Sequence, residues 1–170
     1  MEYFIKTKRL YFRKWCEDDL QLAMALWGDY RVTKLFDSRG TLSKEEVKLK
    51  LLSEIENEVI FRVQYWPFFD QGSDAFIGAC GLRHYKKEEG VFEIGFHVCS
   101  SHWGNGYATE AAKEVIKYSF NTLNIKGLFA GHNPKNEASE KLLKKLGFKY
   151  THDEYYEPTK LMHPSYTYEL

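Results

Sequence analysis

Cysteine is scarce: three residues in 170, at positions 16, 80 and 99, too few and too widely spaced for a disulfide framework. Two of them fall in apolar, strand-like runs, so buried free thiols are expected. The six histidines show neither HxxxH nor CxxC spacing, and no metal site is predicted. Charge of one sign is also missing. Lys plus Arg and Asp plus Glu both total 24, whereas a general nucleic-acid binder carries a basic surplus, so nucleic acid is not expected as a partner. The opening Met1-Glu2-Tyr3-Phe4-Ile5-Lys6 lacks the apolar core of a signal peptide. No apolar run approaches the roughly 20 residues of a membrane span. No membrane association and a cytoplasmic location are therefore expected. With no repeat, low-complexity tract or linker, residues 1–170 are expected to form one domain.

What is present is a sequence of alternating patterns. Arg9 to Trp15 reads as a strand. Asp18 or Asp19 is placed to cap a helix carrying Leu20, Ala23, Met24 and Trp27, ended by Gly28. Ser43 and Glu46 form a capping box ahead of a second helix that is expected to end near Asn57. Strands are predicted over Val59–Trp66, Ala75–Arg83 and Val91–Cys99, with Pro67 and residues 70–74 marking a turn and residues 86–90 a hairpin loop. A helix follows, with Ala108, Ala111, Ala112, Val115, Ile116, Ser119, Phe120 and Leu123 on one stripe. After it come a strand over 126–132, a helix over Lys135–Leu146 capped by Gly147, and closing strands over Phe148–Tyr156 and Ser165–Leu170. The last two are separated by a loop containing Pro158 and Pro164. This order fits an α/β (α+β) fold: a mixed, mostly antiparallel sheet of about seven strands with helices on both faces.

The most informative stretch is His102-Trp103-Gly104-Asn105-Gly106-Tyr107-Ala108-Thr109-Glu110-Ala111, where two glycines open a helix directly after a strand. The first N–H groups of a helix have no partner inside it, the helix dipole adds partial positive charge there, and glycines admit a ligand to the backbone. Together they make an anion cradle. Taken alone, Gly-x-Gly before a helix is more often a tight turn. A nucleotide P-loop is excluded because no G-K-[ST] follows. Three preceding strands argue against a dinucleotide fold.

The turn resembles the acyl-CoA pyrophosphate loop of the GCN5-related N-acetyltransferases, [QR]-x-x-G-x-[GA]. Trp103 stands where Gln or Arg is usual, as in the RimJ/RimL-like ribosomal-protein branch. Asn133-Pro134-Lys135-Asn136-Glu137-Ala138-Ser139 leading to Lys145-Leu146-Gly147-Phe148 is similar to that branch's N-x-x-S helix and K-L-G-F ending, and residues 8–15 give a weaker third match. The resemblance implies acetyl-CoA as co-substrate, no metal, and transfer of acetyl to a primary amine by direct attack in a ternary complex.

The resemblance also implies roles for particular residues. Backbone groups of Phe96, His97 and Val98 would pair with the pantetheine arm. Those of Gly104, Asn105, Gly106, Tyr107, Ala108 and Thr109 would hold the pyrophosphate, and the Asn136 side chain would hydrogen-bond the cofactor. An amine nucleophile must be neutral, yet a lysine titrates at about 10.4 and an α-amine near 8, so a base helps. Glu93 is the first choice as that base; the other reading is a solvated or ion-paired strand glutamate. His97 ranks below it. Glu110, in the first turn of the helix, is expected to be structural. Many relatives place a tyrosine in the last helix to protonate the departing thiolate. Here that position is Leu143, and Ser139 is left to hydrogen-bond the sulfur or the cofactor, or simply to cap the helix.

An acceptor wall is expected from Trp27, Tyr30, Phe36, Tyr65, Trp66, Phe68 and Phe69, most of which would be core. The expected partners are acetyl-CoA and an amine: a protein N-terminal α-amine first, a small-molecule amine such as a polyamine or antibiotic second. The expected state is monomer or homodimer. The alternative is a catalytically silent acyl-CoA-binding sensor or scaffold module.

Overall fold

Strand-length runs of branched and aromatic residues, punctuated by glycine and capped helices, assemble here into one mixed sheet. The computed structural model describes residues 2–170. Its strands are β1 Tyr3–Lys6, β2 Leu10–Arg13, β3 Tyr65–Asp70, β4 Phe76–Lys86, β5 Val91–Val98, β6 Gly127–Gly131, β7 Lys149–Tyr156 and β8 Leu161–Tyr168. The helices are α1 Leu20–Trp27, α2 Tyr30–Thr33, α3 Lys44–Phe61, α4 Tyr107–Asn121 and α5 Glu137–Leu146. The strand order is β1-β2-β3-β4-β5-β6-β8-β7, and only β5 and β6 pair in parallel. Among the described residues no helix is long and apolar enough to cross a membrane.

Alternation along the strands divides the core in two. Cys80, Leu82 and Ile94 point to the face covered by Ala111, Val115 and Leu143. Tyr65 and Ala79 point to the opposite face, with Trp15, Trp27, Val47 and Leu51. The predicted helix signals are realised at both ends. Ser43 and Glu46 close a reciprocal capping box on α3, and Gly147 ends α5 at φ 94°, a left-handed conformation that glycine adopts without strain. All three cysteines are free; Cys80 and Cys99 are buried and Cys16 is exposed.

The sheet has eight strands rather than about seven. The extra one, β1, is only four residues long and buries Ile5 alone, too short a pattern to announce itself. Val59 and Ile60 belong to α3, not to a strand; the helix continues to Phe61 and stops at Arg62, whose φ is 62°. Pro67 lies inside β3, opposite Ala79, instead of in a turn. Pairing with β2 ends at Phe68, so Pro67 has a neighbour on one side only and its missing N–H breaks no ladder bond there. Pro164 likewise sits inside β8, beyond Ser165, where pairing with β6 stops. Asp19 occupies the N-cap position of α1 without capping it. Its carboxylate instead accepts two 2.7 Å bonds from the buried Arg13 guanidinium.

Candidate active site

The parallel pair β5–β6 holds only from Val91/Gly127 to Glu93/Phe129. Beyond that point β5 continues to Val98 with β4 as its one neighbour. The two strands part, and the backbone edge of residues 94–98 faces a cavity of about 850 Å³ instead of a partner strand. Glycine turn, α5, β7, and the region of α2 and α3 all contribute to its wall.

At one end of the cavity lies the glycine turn. Gly104 and Gly106 have φ of 79° and 75°, so glycine is demanded at both by backbone conformation. A Cβ at Gly104 would meet nothing within 4 Å, so the space above this backbone is open. The first intrahelical bond of α4 runs from the Glu110 N–H to the Gly106 carbonyl, and no side chain caps this end. The N–H groups ahead of it are therefore presented to the cavity, lined here by Gly104, Gly106, Tyr107, Ala108 and Thr109. Asn105 does not line it: its side-chain amide donates to the carbonyls of His102 and Trp103 and braces the turn. The Trp103 indole donates to the Val98 carbonyl at 2.8 Å, tying the turn to the end of β5.

Glu110 is structural, as expected. Its carboxylate accepts from the Thr7 hydroxyl, the Arg9 N–H and the Arg9 Nε, at 2.5, 2.9 and 2.7 Å. Burial would raise its pKa, but these donors hold it below the ordinary carboxylate value. Arg9 also donates to the Asn105 carbonyl at 3.0 Å and lies over the Tyr107 ring. One side chain thus clamps the turn from the β1–β2 connection.

Mid-cavity, Glu93 faces the opening where β5 and β6 part. Burial raises its pKa; Arg83, paired with it across β4–β5, and the Tyr65 hydroxyl pull the other way. Tyr65 reaches Glu93 from two strands away, its hydroxyl 3.4 Å from Oε1. It can do so because its ring crosses Gly95, where a Cβ would collide with the ring and its hydroxyl, while at Gly81 a Cβ would collide with the main chain of Gln64 and Tyr65. Burial, then the nearby Glu93 charge, push the Tyr65 phenol well above its ordinary pKa, so it acts as a donor. Arg83 stacks on the Tyr65 ring and forms an ion pair with the buried Glu54.

His97 is held as an acceptor at Nδ1, because the Trp27 indole, which can only donate, points to it at 3.1 Å. The neutral ring then carries its proton on Nε2. Burial, with Lys50 and Arg83 nearby, depresses its pKa well below the ordinary value. Its basic lone pair is engaged and its cationic form is disfavoured, which removes it as a base. Phe36 stacks on it at 4.7 Å.

On α5, Asn136 is the N-cap, its Oδ1 accepting from the Ser139 N–H at 3.1 Å. Ser139 therefore is not the cap, and among the described residues its hydroxyl makes no hydrogen bond; both residues line the cavity. Leu143 also lines it and is almost fully buried. Of the aromatics expected at an acceptor wall, Phe36 and Tyr65 line the cavity. Trp27 stands behind His97, Trp66 and Phe68 are fully buried core, Phe69 is buried, and Tyr30 is exposed. Lys50, Arg83, Tyr85, Glu154 and Tyr156 also line it and carry no motif that marks them in the sequence.

A family model described as an acetyltransferase (GNAT) domain matches residues 9–149. An uncharacterized N-acetyltransferase p20 of Bacillus licheniformis is 31% identical over 144 residues, 84% of this chain and 80% of the relative. A GNAT-family acetyltransferase structure from Bacillus anthracis superposes with a TM-score of 0.81 at 22% identity, covering 99% and 98% of the two chains. A structure of RimL, a ribosomal L7/L12 alpha-N-protein acetyltransferase in complex with coenzyme A, superposes with a TM-score of 0.84 at 15% identity, over 99% and 98%. The family match across most of the chain, on a sheet that opens where a glycine turn begins a helix, shows that this chain belongs to the GNAT family of acetyltransferases.

Proposed function

We propose that the protein transfers an acetyl group from acetyl-CoA to a primary amine, with a protein N-terminal α-amine as the favoured acceptor and a small-molecule amine second. The observation that carries this reading is that one continuous cavity joins an uncapped, glycine-opened helix start to the buried carboxylate of Glu93. The exposed N–H groups of the turn suit the pyrophosphate, and the unpaired edge of residues 94–98 suits the amide-bearing pantetheine arm. The resemblance of the glycine turn favours the α-amine, and one protein of the same fold is an α-N-protein acetyltransferase.

The incoming amine arrives as an ammonium and must lose a proton. Glu93, its pKa raised by burial, is a stronger base than an ordinary carboxylate and is suited to take that proton, directly or through water. The amine nitrogen then bonds to the acetyl carbonyl carbon, the C–S bond breaks, and the thiolate of coenzyme A leaves. Backbone N–H groups of residues 96–98 are the donors for oxygen charge that develops on the way. Leu143 supplies no acid, so the Ser139 hydroxyl, without a partner among the described residues, serves the sulfur as a hydrogen-bond donor.

The same buried Leu143 favours one other reading, a silent acyl-CoA-binding module. Calorimetric titration with acetyl-CoA, followed by thiol release across peptide α-amines, polyamines and aminoglycosides, separates the two. Turnover supports transfer. Tight binding with no turnover on any amine supports the module, and absence of acetyl-CoA binding overturns both.

A further inference from the structure

We infer that the acceptor carries an anionic group, a carboxylate or a phosphate, which Lys50 holds while the acceptor's amine faces Glu93. The inference rests on the acetyl-transfer reading and names the substrate class for it.

Among the described residues, the charged groups around Glu93 are engaged except for two; Glu154 accepts from the Tyr85 hydroxyl at 2.6 Å and lies 2.8 Å from His152 Nε2. Arg83 is engaged with Glu54, which also accepts from the Tyr65 N–H at 2.8 Å. Arg39 is engaged with Asp37 at 2.7 Å and with Glu46. Lys50 forms no ion pair among the described residues, although Glu54 lies one helical turn further along α3. Its ammonium lies against aromatic faces instead, 4.9 Å from the Trp27 ring centroid and 5.6 Å from that of Phe36. Cation–π contact holds it in place without neutralising it. Burial and the neighbouring Arg83 lower its pKa to about 8, as expected of a cation whose counter-ion is missing.

The other unmatched group is Glu93, whose one hydrogen bond among the described residues is the long contact from Tyr65. Lys50 and Glu93 sense each other's charge, yet they do not touch. A cation and a carboxylate that share a cavity wall without pairing leave room for a ligand with the complementary pair. Its ammonium, and then its free amine, faces Glu93, and its anion faces Lys50. A polyamine or aminoglycoside would instead bring further positive charge against Lys50. The anion has two possible sources: the acceptor's own α-carboxylate, in a free amino acid, or an acidic or phosphorylated side chain beside a peptide N-terminus.

The test compares kcat/KM for matched acceptors: serine against serinamide, and a peptide beginning Ser-Asp against one beginning Ser-Asn. A charge-assisted hydrogen bond contributes about 1.5–3 kcal/mol, so the acid should be preferred by about 10-fold or more in at least one pair. The pair that shows the preference identifies the source. In Lys50→Met, whose side chain still packs on Trp27 and Phe36, the acid/amide ratio should fall to about one, and Lys50→Arg should restore it. If Lys50→Met does not fold, Lys50→Gln and added salt read the same ratio. Equal rates within both pairs, or an acid preference that survives loss of the Lys50 charge, overturn the inference while leaving acetyl transfer intact. Acetyl-CoA binding with no amine acetylated would instead overturn the acetyl-transfer reading itself.

Discussion

Gly95→Ala is the sharpest perturbation of the proposed chemistry, because the substituted residue bears no functional group. A Cβ at this position would lie 2.6 Å from Tyr65 Cε2 and closer still to Cζ and the hydroxyl oxygen. Ordinary carbon–carbon contact is about 3.5–4.0 Å, so the ring must retreat by roughly 1 Å. Tyr65 is only 3% exposed, and overpacking of this kind destabilises by about 1–3 kcal/mol. For a chain of this size that is a fall in Tm of roughly 2–12 °C. The same retreat lengthens the 3.4 Å contact from Tyr65 to Glu93. That contact lowers the Glu93 pKa, so its loss raises the pKa and moves the acidic limb of the kcat/KM–pH profile to higher pH. Calorimetry and the pH profile measured together test both halves. In a Tyr65→Phe background the second substitution should leave the limb where Tyr65→Phe alone has put it. Gly81→Ala should be the more damaging, since the added carbon there meets the Gln64 carbonyl and Tyr65 Cα, which are main chain and cannot rotate away. A Gly95→Ala protein with unchanged Tm and unchanged pH limb would refute the account of Tyr65.

Three further outcomes are expected. Glu93→Gln should lower kcat by about 10²-fold or more while leaving acetyl-CoA affinity, read calorimetrically, near that of the unsubstituted protein. In the unsubstituted protein activity should fall with decreasing pH through a pKa above the ordinary carboxylate value, because burial raises Glu93, and Glu93→Gln should abolish that limb. Gly104→Ala places its methyl in open space but strains a left-handed residue, so stability should fall by only about 1–2 kcal/mol while acetyl-CoA affinity falls at least tenfold. Asp19→Asn should destabilise by about 3–5 kcal/mol, since it leaves the buried Arg13 without its counter-ion. Burial would raise the Asp19 pKa, yet Arg13 and the Cys16 N–H hold it below its ordinary value. Its stabilisation is therefore complete above the unfolded-state pKa and is lost as pH falls through the lowered folded one; urea midpoints against pH should show that acid-range loss, and Asp19→Asn should remove it.

The parts of the fold written in local chemistry were legible in the sequence. Gly104 and Gly106 announce a left-handed turn because the requirement lies in their own dihedral angles, and the Ser43–Glu46 box needs only three residues of spacing. Strand against helix at Val59 and Ile60 was not legible, because β-branching favours strand there and tertiary capture of Glu54 and Glu58 by Tyr65, Arg83 and Trp66 favours helix. Pro67 and Pro164 read as breaks because the ends of their neighbours' pairing are set by other strands. Within the site, Glu93 stood out as a carboxylate on the strand before the turn. Tyr65 stood out only as one aromatic of many, since its reach depends on Gly95, two strands away, brought beneath its ring by register. Lys50 looked like any lysine of a charged helix; what distinguishes it is a missing ion pair, which no sequence displays.

The clamp by Arg9 has a consequence for how the protein is assembled. The turn proposed to accept the donor is shaped by a residue 96 positions away from the carbonyl it holds, so the cradle cannot be complete until the first hairpin has docked. Closing so long a loop is among the later and less local events of folding. Donor binding and fraying of the N-terminal hairpin are then linked: a ligand that requires the docked form stabilises it by about 2.7 kcal/mol at a hundredfold excess over Kd. Acetyl-CoA should slow amide hydrogen exchange at residues 9 and 10, whose N–H groups are bonded to Glu110 and Thr7. On that expectation, the first hairpin would report whether the donor is bound.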